Sequence, residues 1–239
     1  MTGPSNITAS VRQRLLNLAR ARAQELEYVL VLYAIERFLY RLSVSAHSRR
    51  FVLKGAMLLL AWQAAPARPT RDLDLLGLGE ITADSLRGVL TDLCGLAVYD
   101  DGLRFNAASI EVRPIREAQE YGGLRATLHA ALGTATIRCQ VDVGTGDAVS
   151  PEAEPLDYPT LLGHPAPRLR AYPRETVIAE KLEALVTLGI ANTRMKDFFD
   201  LWTIARSFPF DARTLARAIR ATFERRRTTI PSGMPLAHG

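Results

Sequence analysis

Two aspartates one residue apart, in Arg68-Pro69-Thr70-Arg71-Asp72-Leu73-Asp74-Leu75-Leu76, are the densest chemical signal in this 239-residue sequence. On a strand, Asp72 and Asp74 project to one face while Leu73 and Leu75 point into a core. Neighbouring carboxylates repel, so a positive charge belongs between or beside them. A divalent cation holding a triphosphate meets that need, because Mg²⁺ favours one or two carboxylates supplemented by phosphate oxygens. The alternative is a solvated loop with a helix-capping aspartate, and D-x-D alone is too short a pattern to separate the two. A third carboxylate shifts the balance. Across Thr136–Val143, alternation sets Arg138, Gln140 and Asp142 on one face and Ile137, Cys139, Val141 and Val143 on the other. Asp142 is thus placed to serve as a third metal ligand or a general base, its alternative being a polar residue at a strand edge.

Cations come next. Arginine supplies 27 of the 30 basic residues, and the three lysines are Lys54, Lys181 and Lys196. Lys54-Gly55-Ala56 is predicted to open a short helix over 54–63, whose free N–H groups could receive phosphate. Lys181 borders the apolar stripe Ile178, Leu182 and Leu185 of a helix predicted over Glu175–Thr187, with Glu180 and Glu183 turned away. An inward lysine needs an anion, which an NTP phosphate would provide; the alternative is a packed stem with its head in water. The helix predicted over Met195–Ser207 has Phe198, Leu201, Trp202 and Ala205 as its core stripe. Asp197 lies beside that stripe and is a further site candidate. Lys196 is expected to pair with Asp200 at i,i+4. The run Arg225–Arg227 reads as solvated helix surface that could also track an RNA backbone.

The elements that must position these groups follow from periodicity. Helical spacing runs from Thr8 to about Leu42 with a break near Arg22–Glu25, and a further helix spans Thr82–Gly95 with Thr82 or Asp84 as its cap. The period then changes to two, predicting strands over Ser109–Ile115, Arg125–Ala131 and Thr134–Val143. A passage with six prolines between Pro151 and Pro173 marks a boundary. Three helices follow, over 175–187, 195–207 and 212–226. Helices, then sheet, then helices predict an α/β (α+β) fold with a central mixed sheet. The expected division is residues 1–160 with the chemistry and a helical lobe over 161–239.

Composition excludes several classes. A hydrophobic fraction of 48% rules out disorder, and no apolar run is long enough for a membrane span. The first residues lack the apolar core of a signal peptide, so a cytoplasmic protein is expected. Cys94 and Cys139 lack metal-ligand spacing, and the four histidines form no zinc motif. A net charge of +5 suits a polyanionic partner without demanding one.

Several stretches appear in a fixed order: Glu36-Arg37-Phe38-Leu39-Tyr40-Arg41, Phe51-Val52-Leu53-Lys54-Gly55-Ala56, Arg68-x-Thr70-x-Asp72-Leu73-Asp74, Val141-Asp142-Val143-Gly144, Ala179-Glu180-Lys181-Leu182, and Arg194-Met195-Lys196-Asp197-Phe198-x-Asp200-Leu201. Together they resemble the AbiEii/AbiGii-type toxins of the DNA polymerase β nucleotidyltransferase superfamily. The resemblance implies a nucleotidyltransferase fold with a helical C-terminal lobe closing over an NTP. It implies Mg²⁺ or Mn²⁺ at Asp72 and Asp74 with Asp142 as third carboxylate, phosphate held by Lys181, and Asp197 as an essential carboxylate. Lys54, Gly55, Thr70, Arg194 and Lys196 are the expected NTP contacts. Such proteins are toxins with a separately encoded antitoxin, and some add nucleotides to the tRNA 3′ end. The expected reaction is therefore NMP transfer from an NTP to tRNA. Transfer to a small molecule or protein hydroxyl, and a silent NTP- or antitoxin-binding module, are the alternatives. Members often carry Gly-Ser where this chain has Gly55-Ala56, which leaves the hydroxyl to Thr70 or the contact to backbone N–H groups.

Overall fold

A computed structural model describes residues 7–64, 68–115, 122–188 and 195–233. Two helices open the chain, α1 (Ile7–Ala21) and α2 (Leu26–Val44), broken where expected. Strand β1 (Phe51–Lys54), the short α3 (Met57–Ala61), β2 (Asp72–Gly77) and α4 (Ala83–Gly95) follow. Next come β3 (Arg104–Ile115), β4 (Gly123–Leu132), β5 (Ala135–Thr145), β6 (Glu154–Asp157) and β7 (Arg168–Ala171). Three helices complete it: α5 (Arg174–Leu188), α6 (Met195–Ser207) and α7 (Ala212–Arg225). The Thr82 cap is real, because its hydroxyl accepts from the Ser85 N–H while Ser85 reciprocates.

The seven strands form one mixed sheet in the order β3-β4-β5-β2-β1-β7-β6. β2 runs parallel to β5 and β1 parallel to β7, while the other neighbours are antiparallel. One face of its centre is apolar: Leu73, Leu75, Val141 and Val143 are buried in a single core with Tyr33, Phe38 and Leu42 of α2 and Leu86 and Leu90 of α4. Alternation along the same strands sends Asp74 and Asp142 to the opposite face. Two arginines of α2 lie inside that core. Arg41 grips Asp101 with both terminal nitrogens, at 2.6 and 3.2 Å, and Arg37 pairs with Glu36, whose carboxylate also accepts the Leu161 N–H.

Three expectations need correction. Lys54 does not open a helix; it ends β1, where pairing with β2 continues to Lys54↔Asp74, and the chain turns at Gly55 with φ +74° before α3 begins. The proline-rich passage contains strands β6 and β7, and β7 joins the sheet beside β1 although it lies beyond residue 160. Proline tolerates such short and peripheral strands, which is why composition hid them. On α6, Trp202 is 49% exposed, while Asp197, Asp200, Thr203 and Ile204 point inward. Ion pairing, not apolar spacing, decides which way this helix faces.

Candidate active site

The charged face of the sheet opens into a cavity of about 520 Å³ whose far wall is built by α5, α6 and the end of α7. Register brings the key side chains into one row. Lys54 of β1 lies opposite Asp74 of β2, Asp74 opposite Asp142 of β5, and Asp142 opposite Arg125 of β4. The row therefore reads plus, minus, minus, plus across four strands. Asp72, two residues before Asp74, faces the same space.

Asp74 has little water around it. Burial pushes its carboxyl up to about 6, the nearby Asp142 and Asp72 carboxylates push the same way, and Lys54 and Lys181 oppose them. Gly55 makes this approach possible, because a Cβ there would sit 2.0 Å from Asp74 Oδ2. Among the described residues, Asp72 and Asp74 have no cation at ion-pair distance, while every other carboxylate lining the cavity has one.

Those other pairs form three groups. Arg125 clamps Asp142 through two bonds of 2.8 and 2.7 Å. Lys54 donates to Asp147 at 2.6 Å and to Glu180 at 2.9 Å, and Arg226 reaches Asp147, Glu180 and Glu183. Burial works against charge on Lys54, yet Glu180, Tyr172 and Asp147 outweigh it and hold its ammonium well above the ordinary lysine range. Burial likewise opposes the Asp147 carboxylate, but Lys54 and Arg226 hold it far below the usual range. On the helical wall, Lys181 donates to Asp197 at 2.9 Å and to Asp200 at 2.7 Å, and Arg68 binds Asp200 with two bonds of 2.7 Å.

The cavity thus gathers Lys54, Gly55, Thr70, Asp72, Asp74, Asp142, Lys181, Lys196 and Asp197 from the sequence expectations. Arg194 lies outside the described residues. The expected Lys196–Asp200 pair is replaced, since Arg68 and Lys181 take both Asp200 oxygens and Lys196 is exposed. Glu180 and Glu183 do not turn away from the site; both line it. Six charged residues escaped sequence reasoning as site groups: Arg68, Arg125, Asp147, Glu180, Glu183 and Arg226. Arg125 carried a signal in strand alternation, but only the β4–β5 register puts it opposite Asp142. Arg226 is hidden in a run of three arginines, of which it alone lines the cavity among the described residues.

The residues suit a divalent cation at one place. Among the described residues no three acidic, histidine or cysteine side chains are gathered into a ready-made metal cage. Asp72 and Asp74, however, are neighbouring carboxylates with no cation at ion-pair distance among the described residues, the donor set that Mg²⁺ shares with phosphate oxygens.

The family described as "Nucleotidyl transferase AbiEii toxin, Type IV TA system" matches residues 37–238. A Helicobacter pylori protein described as a nucleotidyltransferase is similar in structure, with a TM-score of 0.50 and 18% identity over 83% of this chain and 76% of its own. JHP933 from Helicobacter pylori has a TM-score of 0.48 at 18% identity, covering 79% of this chain and 75% of its own. An antigenic nucleotidyltransferase-like protein from Paracoccidioides brasiliensis has a TM-score of 0.42 at 14% identity, covering 74% of this chain and 80% of its own. No curated protein matches the sequence. The first of these likenesses supports a nucleotidyltransferase-like fold, with N-terminal helices, a mixed sheet and a C-terminal helical lobe.

Proposed function

The chain belongs to the AbiEii nucleotidyl transferase toxin family of type IV toxin–antitoxin systems, and on that premise we propose that it transfers an NMP from an NTP to RNA in the cytoplasm, with the tRNA 3′ end as acceptor and a cognate antitoxin as its genetic partner. One observation carries the assignment of the site: among the described residues, Asp72 and Asp74 stand without a cation at ion-pair distance in a cavity whose other carboxylates are all paired.

Asp72 and Asp74 would hold Mg²⁺ or Mn²⁺, with Asp142 as the third carboxylate. Bound there, the ion would neutralise developing phosphoryl charge and polarise the reacting oxygens. Everything else falls to the chain's own groups. Lys181 is held in place by Asp197 and Asp200, and two of its three ammonium donors are used there. The third is left for a phosphate oxygen. Lys54, on the sheet face, is fixed in the same way by Asp147 and by Glu180 of α5. Thr70 lines the cavity on the segment leading into β2 and offers the hydroxyl that Ala56 lacks. Preorganised donors of this kind stabilise charge without reorganising at the moment of reaction.

In the transfer, an acceptor hydroxyl oxygen forms a bond to the α-phosphorus and the bond to the β-phosphate oxygen breaks. Pyrophosphate leaves with that electron pair, and the hydroxyl proton passes to a nearby carboxylate, for which Asp142 is the candidate. Purified protein incubated with each NTP labelled at the α-phosphate, Mg²⁺ and total tRNA tests this reading. Label on tRNA, lost with Asp72→Ala, is the expected result. Label on protein or on a small molecule would move the acceptor to another class, and no transfer from any NTP would overturn the reading.

A further inference from the structure

The Arg125–Asp142 pair has features that set it apart from the other ion pairs of the cavity. Asp142 is directly opposite Asp74 in the parallel β2–β5 register, so it belongs to the same carboxylate group as Asp72 and Asp74. Unlike them, it is already satisfied: Arg125 Nε donates to Oδ1 at 2.8 Å and Nη2 to Oδ2 at 2.7 Å. A planar guanidinium matched to both oxygens takes a lone pair of each and offsets the charge, and Gln140 Nε2 donates to Oδ2 at 3.4 Å, so a metal approaching that carboxylate meets a resident cation. The two partners differ in exposure. The Asp142 side chain is 16% exposed and stays in the cavity wall, whereas the Arg125 side chain is 41% exposed, so displacing it uncovers little of the core. By contrast, the Asp200 carboxylate on the helical wall is fully buried and gripped by two cations, as a permanent strut would be.

We propose that Arg125 is the resident counter-ion of Asp142 and competes with a divalent cation for that carboxylate, so that completing the three-aspartate site requires exchange of the guanidinium for the metal. The inference rests on the reading of Asp72, Asp74 and Asp142 as the metal-binding group. Arg125 is in this account a positioning residue. By offsetting the Asp142 charge until the metal arrives, it lessens the repulsion among three neighbouring carboxylates in the unloaded protein.

A purely structural cross-strand pair would stabilise β4 against β5 and do nothing to metal affinity. Mn²⁺ binding separates the two. The full chain, without NTP or RNA, is titrated with Mn²⁺ and free ion is read by electron paramagnetic resonance, for wild type, Arg125→Gln, Arg125→Lys, Asp142→Asn and the double variant Arg125→Gln/Asp142→Asn. Removing the competitor is expected to tighten Mn²⁺ binding about tenfold in Arg125→Gln, and less in Arg125→Lys, whose point charge cannot bridge both oxygens. The gain is expected to vanish when Asp142 is also Asn, because the competition then has no object. Unchanged or weaker Mn²⁺ affinity in a folded Arg125→Gln overturns the proposal, as does an equal gain in the Asp142→Asn background. Should Arg125→Gln fail to fold, Arg125→Lys decides by the same criterion. Because the readout needs no turnover, tightening in a protein that transfers no label would sustain the competition while refuting nucleotidyl transfer. Transfer with no tightening would do the reverse.

Discussion

One pair of aspartates stands on the sheet face of the cavity and another on and behind its helical wall, and the two are built in opposite ways. Asp72 and Asp74 sit on β2 with no cation at ion-pair distance among the described residues, and burial with carboxylate neighbours pushes Asp74 up to about 6. Asp197 and Asp200 sit on α6, buried and bonded to Lys181, with Arg68 adding a bidentate grip on Asp200. Burial opposes the Asp200 carboxylate, but Arg68 and Lys181 hold it below the ordinary range. The comparison separates scaffold from chemistry. A saturated carboxylate fixes the helical lobe and orients a lysine; a carboxylate left without a counter-charge costs stability and is kept where a ligand must supply that charge.

The largest expected effect breaks the saturated pair. Asp200→Asn leaves Arg68 and Lys181 facing each other without a carboxylate between them, and a cost of about 3–5 kcal/mol is expected, read as a drop in thermal or denaturant midpoint. If Asp200→Asn melts like wild type, the α6 pair is not the strut described here. The other pair responds with the opposite sign. Asp74→Asn removes a half-buried charge with no cation at ion-pair distance among the described residues, so stability at pH 7 is expected to rise by about 1 kcal/mol, read as a melting temperature higher by roughly 2–4 °C. A loss of stability instead would mean that Asp74 is structural.

The pH dependence sharpens that contrast. Asp74 holds its proton more tightly when folded, about 6 against an ordinary 3.8, so its protonated form favours the fold. Its contribution is full below about pH 4 and is lost as pH rises through about 6. The stability advantage of Asp74→Asn over wild type is therefore expected to be near zero at pH 4 and to grow up to pH 7, measured by parallel melts. A constant offset across that range would refute the raised carboxyl. The smallest effect concerns Lys196, which is exposed and makes no pair with Asp200. Lys196→Ala is expected to change stability by less than about 0.5 kcal/mol, where Lys181→Ala would remove the ammonium that two buried aspartates share.

What was legible in the sequence was local. The D-x-D strand, the Thr82 cap, the two-residue period of β3 to β5 and the inward aim of Lys181 all follow from spacing within one element. What was hidden depends on which elements become neighbours. Arg125 matters because β4 pairs with β5 in one register, and Arg226 because the end of α7 returns to the sheet, where Arg225 also donates to the Gly146 carbonyl. Glu180 looked solvent-facing because apolar spacing cannot foresee a lysine arriving from β1. Trp202 failed for the same reason in reverse: charge partners outside its helix, not hydrophobic periodicity, turned α6. Lys54 was misplaced because Gly55 has two readings, a helix start or a tight turn at positive φ, and the approach of Asp74 decides between them.

The most direct test of the account is the transfer of α-phosphate label from NTP to total tRNA by Asp74→Asn, normalised to the folded fraction of the same sample. Native-like melting together with a loss of at least about 100-fold in label transferred is the predicted result. Transfer at the wild-type level by folded Asp74→Asn would contradict it, because the carboxylate pair without a counter-ion would then not be where the chemistry takes place.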